Sequence, residues 1–354
     1  MEEEFYLYWI SSLPGAGIKH LKKWRDYFGS FAEIYEEGRR IKKPKCCTEK
    51  EWELFTDEER KRQAIRQWRE IKQKGITYLS YFDLSQYPQC LRQISQPPKH
   101  LFVKGKCPDG QRISVAIVGA RECSPYGRDM ARLFGYRLAE AGINVISGMA
   151  RGIDGWGHQG ALESGGNTFA VLGCGVEVCY PTEHRRLYDS IAIHGGIISE
   201  LPINMKAQKP FFPLRNRIIS GLSQGILVVE AKERSGSLIT ADAALEQGKD
   251  VFVIPGRIGD VLSEGCNRLI RQGAIPVLSP MDILEYYGIC SYNNIEETVR
   301  EGADLVSMIG LTPIHINVII RQSHRTPSDV LKTLSKLKKK GMIREVSRGY
   351  FIKC

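Results

Sequence analysis

The ten cysteines, scattered from Cys46 to Cys354, include no C-x-x-C pair, so zinc ribbons and thioredoxin-type redox motifs are excluded. The seven histidines include no H-x-x-x-H pair, and no G-x-x-x-x-G-K-[ST] run exists, so zincin and P-loop chemistry lack their residues. No uncharged apolar stretch approaches the roughly 18 residues of a membrane span. The opening Met1-Glu2-Glu3-Glu4 is acidic, unlike the positive start of a secretory signal or an Arg-rich transit peptide. These absences predict a cytoplasmic protein with no membrane association and with reduced, mostly structural thiols.

What remains is ordinary in bulk and uneven in detail. The 354 residues are 42% hydrophobic and 25% charged, enough for two or three domains of about 100–200 residues. The formal net charge is +10, and residues 301–354 hold ten Lys and Arg against four Asp and Glu. Such an excess favours a polyanionic partner, because neutralised phosphates release counterions. A solvated basic surface would give the same count.

The chain divides into four stretches. Residues 1–75 read as helices, with Leu13-Pro14-Gly15-Ala16-Gly17 joining two of them. That layout is a helix-hairpin-helix whose glycine amides can face a phosphate, or a structural αα-hairpin. Residues 76–112, with Pro88, Pro97, Pro98 and Pro108, read as a connector holding short strands such as Leu101-Phe102-Val103. Over 113–288, β-branched runs alternate with amphipathic helices, which predicts a doubly wound, mostly parallel α/β sheet. Val115–Val118, Asn144–Ser147, Phe169–Leu172, Ile197–Ser199, Ile226–Val229 and Val251–Ile254 are its strands, with Pro276–Leu278 a further edge strand. Residues 296–354 read as three helices and a hairpin, a winged helix, with Thr326-Pro327-Ser328-Asp329 starting the third helix and Gly341 stopping it. Winged helices serve as DNA readers or as protein contacts. Lys332, Lys336 and Lys339 make a secondary DNA contact one expectation.

The first βα turn is not that of a dinucleotide enzyme. In Gly119-Ala120-Arg121-Glu122-Cys123-Ser124, Arg121 stands where a glycine would let a pyrophosphate approach, and the stretch Ser147–Asp154 that ends the second strand has no acidic residue poised for a ribose. Arginines and small residues cluster at strand ends instead. Arg121 follows the first strand and Arg151 the second, with Arg185 and Arg186 after the third. Arg215-Asn216-Arg217 precedes the fifth strand, and Arg234-Ser235-Gly236-Ser237 follows it. Helix-terminal Gly and Ser amides can bind a phosphate, and arginine adds bidentate contacts. About half of these arginines are expected to pair with acids such as Glu122, Asp154, Glu183 or Glu230. No Ser-centred nucleophile elbow or metal-ligand cluster is present, so neither a catalytic residue nor a cofactor or metal is expected. His158 reads as a satisfied side chain and Cys174 as an inert thiol.

Several of these stretches together resemble one family. They are Gly119-Ala120-Arg121 with Tyr126-Gly127, Ser147-Gly148-Met149-Ala150-Arg151-Gly152-Ile153-Asp154, and Leu172-Gly173-Cys174-Gly175 with Tyr180-Pro181. Phe212-Pro213-Leu214-Arg215-Asn216-Arg217, Ser235-Gly236-Ser237-Leu238-Ile239-Thr240 and Gln247–Gly256 complete the set. Over residues 113–280 the order and spacing are similar to the DNA-processing protein A family, also called DprA or Smf. The resemblance implies an extended Rossmann-like fold flanked by a helix-hairpin-helix or SAM-like domain and a winged helix. It implies a non-enzymatic homodimer that binds single-stranded DNA and loads the RecA recombinase during natural transformation. Gly119, Ala120 and Arg121 would grip a phosphate, with Arg215, Asn216, Arg217, Ser235, Gly236 and Ser237 lining the same pocket and Arg151 near it. Ala120 replaces the usual Ser or Thr. Thr182 stands where some relatives have a lysine, which shifts that charge to Arg185 and Arg186. The alternative is a nucleotide-processing enzyme of the phosphoribohydrolase-like Rossmann class, although Pro255-Gly256-Arg257 lacks that group's Pro-Gly-Gly-x-Gly-Thr.

Overall fold

Runs such as Val115–Val118 have no polar face, so both sides of each strand must be covered. They stand in the middle of a nine-stranded sheet. Its strands are β1 (Thr77–Ser80), β2 (His100–Gly105), β3 (Ser114–Val118), β4 (Asn144–Ser147), β5 (Thr168–Val171), β6 (Gly196–Ser199), β7 (Gly225–Val228), β8 (Asp250–Val253) and β9 (Ile275–Pro276). Their order is β1-β2-β6-β5-β4-β3-β7-β8-β9. From β6 to β9 every pair is parallel, while β2 is antiparallel to both its neighbours. Strand order reverses between β3 and β7, so the chain is doubly wound with its switch point there. The computed structural model describes residues 2–37, 43, 47–289, 305–310, 312–323, 325–339 and 342–353. The chain forms two units, residues 1–280 and 281–354.

In the first unit the helices are α1 (Glu3–Ser12), α2 (Ile18–Phe28), α3 (Phe31–Glu37), α4 (Glu49–Thr56) and α5 (Glu58–Gln73), then α6 (Gln89–Arg92). The sheet adds α7 (Pro125–Glu140), α8 (Ile153–Glu163), α9 (Arg185–His194), α10 (Phe211–Gly221), α11 (Gly236–Glu246) and α12 (Glu264–Arg271). One core joins Phe5 and Trp9 of α1 to Tyr188 of α9 and to Phe102, Ala170 and Ile197 of the sheet. The opposite sheet face packs Val103, Val171 and Ile198 against Ile218 and Ile219 of α10 and Ala241 of α11. The N-terminal helices are thus fastened to the sheet, and the Tyr78 hydroxyl of β1 donates to the Leu7 carbonyl at 3.2 Å. Within residues 76–112, β1 and β2 extend the sheet by two strands. Helices α7 and α8 touch backbone to backbone, and a Cβ on Gly160 would lie 2.0 Å from the Arg132 carbonyl oxygen.

Two buried histidines make this unit sensitive to acid. His158 Nδ1 donates to Thr168 Oγ1 at 2.6 Å, because that hydroxyl already gives its proton to the Val145 carbonyl at 2.9 Å. Nε2 of His158 and Nδ1 of His100 have no partner. Burial, with Lys99 beside His100 and with His184 and Arg215 near His158, holds both imidazoles down to about 3. The unfolded chain takes up these protons near pH 6.5. Their contribution is therefore complete above pH 6.5 and is lost as pH falls from 6.5 towards 3. Urea unfolding should show about 2 kcal/mol less stability per histidine at pH 5 than at pH 7. Equal stability at the two pH values would contradict this.

After α13 (Pro280–Tyr286), the second unit contains a helical turn at 305–308, β10 (Ile314–His315), α14 (Ile316–Ser323), α15 (Pro327–Lys339), β11 (Ile343–Ser347) and β12 (Tyr350–Lys353). The strands form a sheet in the order β10-β12-β11. Thr326 starts α15 as the sequence predicts, with its Oγ1 accepting from Asp329 N at 3.2 Å. Leu305, Ile319, Val330, Leu334, Leu337 and Phe351 form a core of their own. Lys332 and Lys336 are exposed on α15. The Lys339 side chain, Gly341, Cys46, Cys290 and Cys354 lie outside the described residues. The described cysteines form no disulfide with one another. Among the described residues, no helix is long and apolar enough to cross a membrane.

Candidate nucleic-acid interface

The carboxyl ends of β3 and β7 open into a cleft of about 550 Å³. Its first wall is the β3–α7 loop, Gly119–Glu122, which is tied to the end of β7. Ala120 N donates to the Glu230 carbonyl at 2.8 Å, and Ser124 N donates to Glu230 Oε2 at 2.9 Å. Ser124 also caps α7, its Oγ accepting from Gly127 N at 3.0 Å while its hydroxyl proton goes to Glu230. Buried Glu230 therefore sets the path of the loop that presents Arg121. The β4–α8 turn supports it from below. Gly152 has φ +72°, and a Cβ there would lie 2.2 Å from the Ala120 carbonyl oxygen, so only glycine fits.

The second wall is the start of α11. Ser235 is its cap, with Oγ accepting from Ser237 N at 3.4 Å and lying 2.8 Å from Ser237 Oγ. The first turn contains no acidic residue to oppose an anion at the positive end of the helix dipole, while Ser235 takes the Ser237 amide on its Oγ and the Leu238 amide on its carbonyl. Asn216 links α10 to this turn by donating from Nδ2 to the Gly236 carbonyl at 3.3 Å.

The floor holds a buried cation. Arg215 is 7% exposed; its Nη1 donates to the Gly148 carbonyl at 2.9 Å and to the Val171 carbonyl, and its Nε to Asn216 Oδ1 at 3.2 Å. Burial pulls this guanidinium down to about 10, with the Asp154 carboxylate opposing the shift. Burial raises Asp154 above the usual carboxylate range, while Arg215 and the Ala150 and Gly148 amides hold it back.

Around this floor stand Arg121, Lys209, Lys232 and Arg234, all exposed and lining the cleft. None of the four makes an ion pair among the described residues. Glu122 and Asp154 are the acids of the lining. The Arg121 guanidinium lies 5.4 Å from the centre of the Phe212 ring, and Phe212 lies 5.5 Å from Tyr180. The cleft thus combines exposed cations, the N-terminus of α11 and two adjacent aromatic rings.

The residues singled out in the sequence divide between cleft and periphery. Gly119, Ala120, Arg121, Arg215, Asn216, Ser235, Gly236 and Ser237 come together in the lining. Arg217 does not, since its Nη2 pairs with Glu200. Arg151 pairs with Glu183 and Arg185 with Asp189, while Arg186 is exposed. Lys209, Phe212, Lys232 and Tyr180 were not singled out as contacts. Phe212 and Tyr180 belong to the Phe212–Arg217 and Tyr180-Pro181 motifs, whereas the two lysines carry no local signal.

The cleft thus lies at the switch point of a doubly wound α/β sheet and lacks a dinucleotide fingerprint. A family model described as DNA recombination-mediator protein A matches residues 78–288. The chain belongs to that family, whose members include proteins named Smf and DprA. Protein Smf of Escherichia coli is 40% identical over 277 residues, covering 75% of this chain and 74% of its own. DNA processing protein DprA of Streptococcus pneumoniae is 45% identical over 198 residues, covering 56% and 70%. The X-ray structure of the Streptococcus pneumoniae protein matches with TM-score 0.67 and 33% identity over 80% of this chain and 98% of that one. A Helicobacter pylori DNA processing protein A structure, described for its unique single-stranded DNA binding mode, matches with TM-score 0.54 and 28% identity. It covers 60% of this chain and 97% of that one.

Proposed function

We propose that the chain binds single-stranded DNA in the switch-point cleft and acts as a recombination mediator. The observation that carries this is the set of exposed cations, none ion-paired among the described residues, around the N-terminus of α11. Arg121 grips a phosphate, Ser235, Gly236 and Ser237 bind a neighbouring one, and Phe212 offers a face on which a base can stack. The single-strand binding mode described for the Helicobacter pylori relative supports this reading. Arg151, Arg185 and Arg186 extend the path at the periphery. Grip on phosphates rather than base edges gives weak sequence preference.

The remaining roles rest on the resemblance. The chain acts as a cytoplasmic homodimer, protects an incoming strand and hands it to the RecA recombinase, without a catalytic step or cofactor. Residues 1–75 form the helix-hairpin-helix or SAM-like domain and 113–288 the Rossmann-like domain. Residues 296–354 form a winged helix, with Lys332 and Lys336 as secondary contacts.

Fluorescence anisotropy with a labelled oligo-dT strand and the matching duplex, across a salt series, tests the reading. Tight, salt-sensitive and preferential single-strand binding is expected. Deleting residues 296–354 should change single-strand affinity by less than about threefold, because the main contacts lie in the cleft. Equal affinity for strand and duplex, or loss of binding on deletion, would overturn it.

A further inference from the structure

A second cavity, of about 310 Å³, lies between α2 and the segment that follows β1. Lys22 and Arg25 project from α2, and Tyr81 and Phe82 follow the last residue of β1. Cations and rings alternate here. Lys22 Nζ is 5.3 Å from the Tyr81 ring centre, Arg25 Cζ is 5.8 Å from that of Phe82, and Arg92 Cζ is 4.6 Å from that of Tyr81. The two rings meet edge to face at 5.6 Å.

Arg92 is the fixed member of the group. Its Nη2 donates to the carbonyls of Tyr81 and Asp83, which holds the ring-bearing segment in place, and its buried Nε has no partner. Lys22 and Arg25 are exposed and make no ion pair among the described residues. Asp26 is the acid of the lining, so the cavity has a positive excess. Leu84 is 70% exposed beside it.

The location supplies the second half of the inference. Ser80 pairs with His100, and Phe102 pairs with Ser199, so β1 ends on the same edge of the sheet as β6. That edge also carries the carboxyl ends of β3 and β7. Five strand spacings of about 4.8 Å separate β1 from β3, or about 24 Å along the edge. At the roughly 3.4 Å per phosphate of a stacked strand, about seven nucleotides span it. Lys206, exposed in the segment between β6 and α10, adds positive charge three residues before the Lys209 that lines the cleft.

We propose that this cavity is a second contact for single-stranded DNA, in which a base stacks on Tyr81 or Phe82 while Lys22 and Arg25 hold its phosphates. Aromatic faces tolerate any base, and cations beside them neutralise the backbone, which is the chemistry of sequence-independent strand binding. The inference rests on the cleft reading, since the strand reaches α2 by running along the sheet edge from the cleft.

Photocrosslinking of the full chain to an iodouracil-substituted strand of about twenty nucleotides tests it, with crosslinked peptides mapped by mass spectrometry. The expected result is one crosslink in the Tyr81-Phe82 peptide and another in the Phe212 peptide. The double variant Lys22→Glu/Arg25→Glu, both exposed positions, should reduce the first about tenfold or more and leave the second intact. A Phe212 crosslink without one at Tyr81-Phe82, or a Tyr81-Phe82 crosslink indifferent to the double variant, overturns the inference and leaves the cleft reading standing. No crosslink at either place overturns both.

Discussion

Replacing Arg121 with alanine is expected to weaken single-strand binding by roughly ten- to a hundredfold while leaving stability unchanged. Arg121 is exposed and pairs with no acid among the described residues, so the fold loses only an exposed contact with the Phe212 ring when its guanidinium goes. The strand loses a charge-assisted contact held in place by the Glu230 clamp on the β3–α7 loop. One phosphate contact fewer should also flatten the dependence of log affinity on log salt by about one unit. Anisotropy across a salt series reads both effects, and urea unfolding reads stability. Unchanged affinity would place the phosphate grip elsewhere.

The Arg215→Ala variant should behave in the opposite way, losing stability first. Its guanidinium is buried and bonded to two carbonyls, and its charge offsets that of buried Asp154. Removing one member of such a buried set leaves the rest uncompensated, at a cost of about 3–5 kcal/mol. Arg215→Lys should recover only part of this, because an ammonium cannot reach two carbonyls and Asn216 with a planar fork. Urea unfolding gives the answer directly. A variant as stable as the parent would show that Arg215 belongs to the ligand rather than to the floor.

These two arginines show what a sequence can and cannot reveal. The sheet was legible because strands covered on both sides are continuous apolar runs, and Val115–Val118 and Ile226–Val229 have no other use. Its extension by β1 and β2 was not, because a proline-rich stretch hides the pairing of Phe102 with Ser199. Gly119–Arg121 and Ser235–Ser237 could be singled out because they follow strands directly, where open α/β sheets place their sites. Whether an arginine is exposed or buried depends on what the fold brings beside it. Arg121 and Arg215 read alike in the sequence, yet one reaches solvent and the other lies under the cleft. Arg217 meets Glu200 across the chain, and no spacing announces that pair. Lys209 and Lys232 reach the lining because α10 and the β7–α11 loop converge, which is tertiary information.

Hydrogen exchange of the full chain with and without an oligo-dT strand tests the central claim most directly, because it reports where the strand lies. Slower exchange at residues 119–124 and 235–240 is expected, since a strand in the cleft would cover both segments and restrict their opening. Protection confined to residues 316–353, or none at the cleft when the strand is bound, would contradict it.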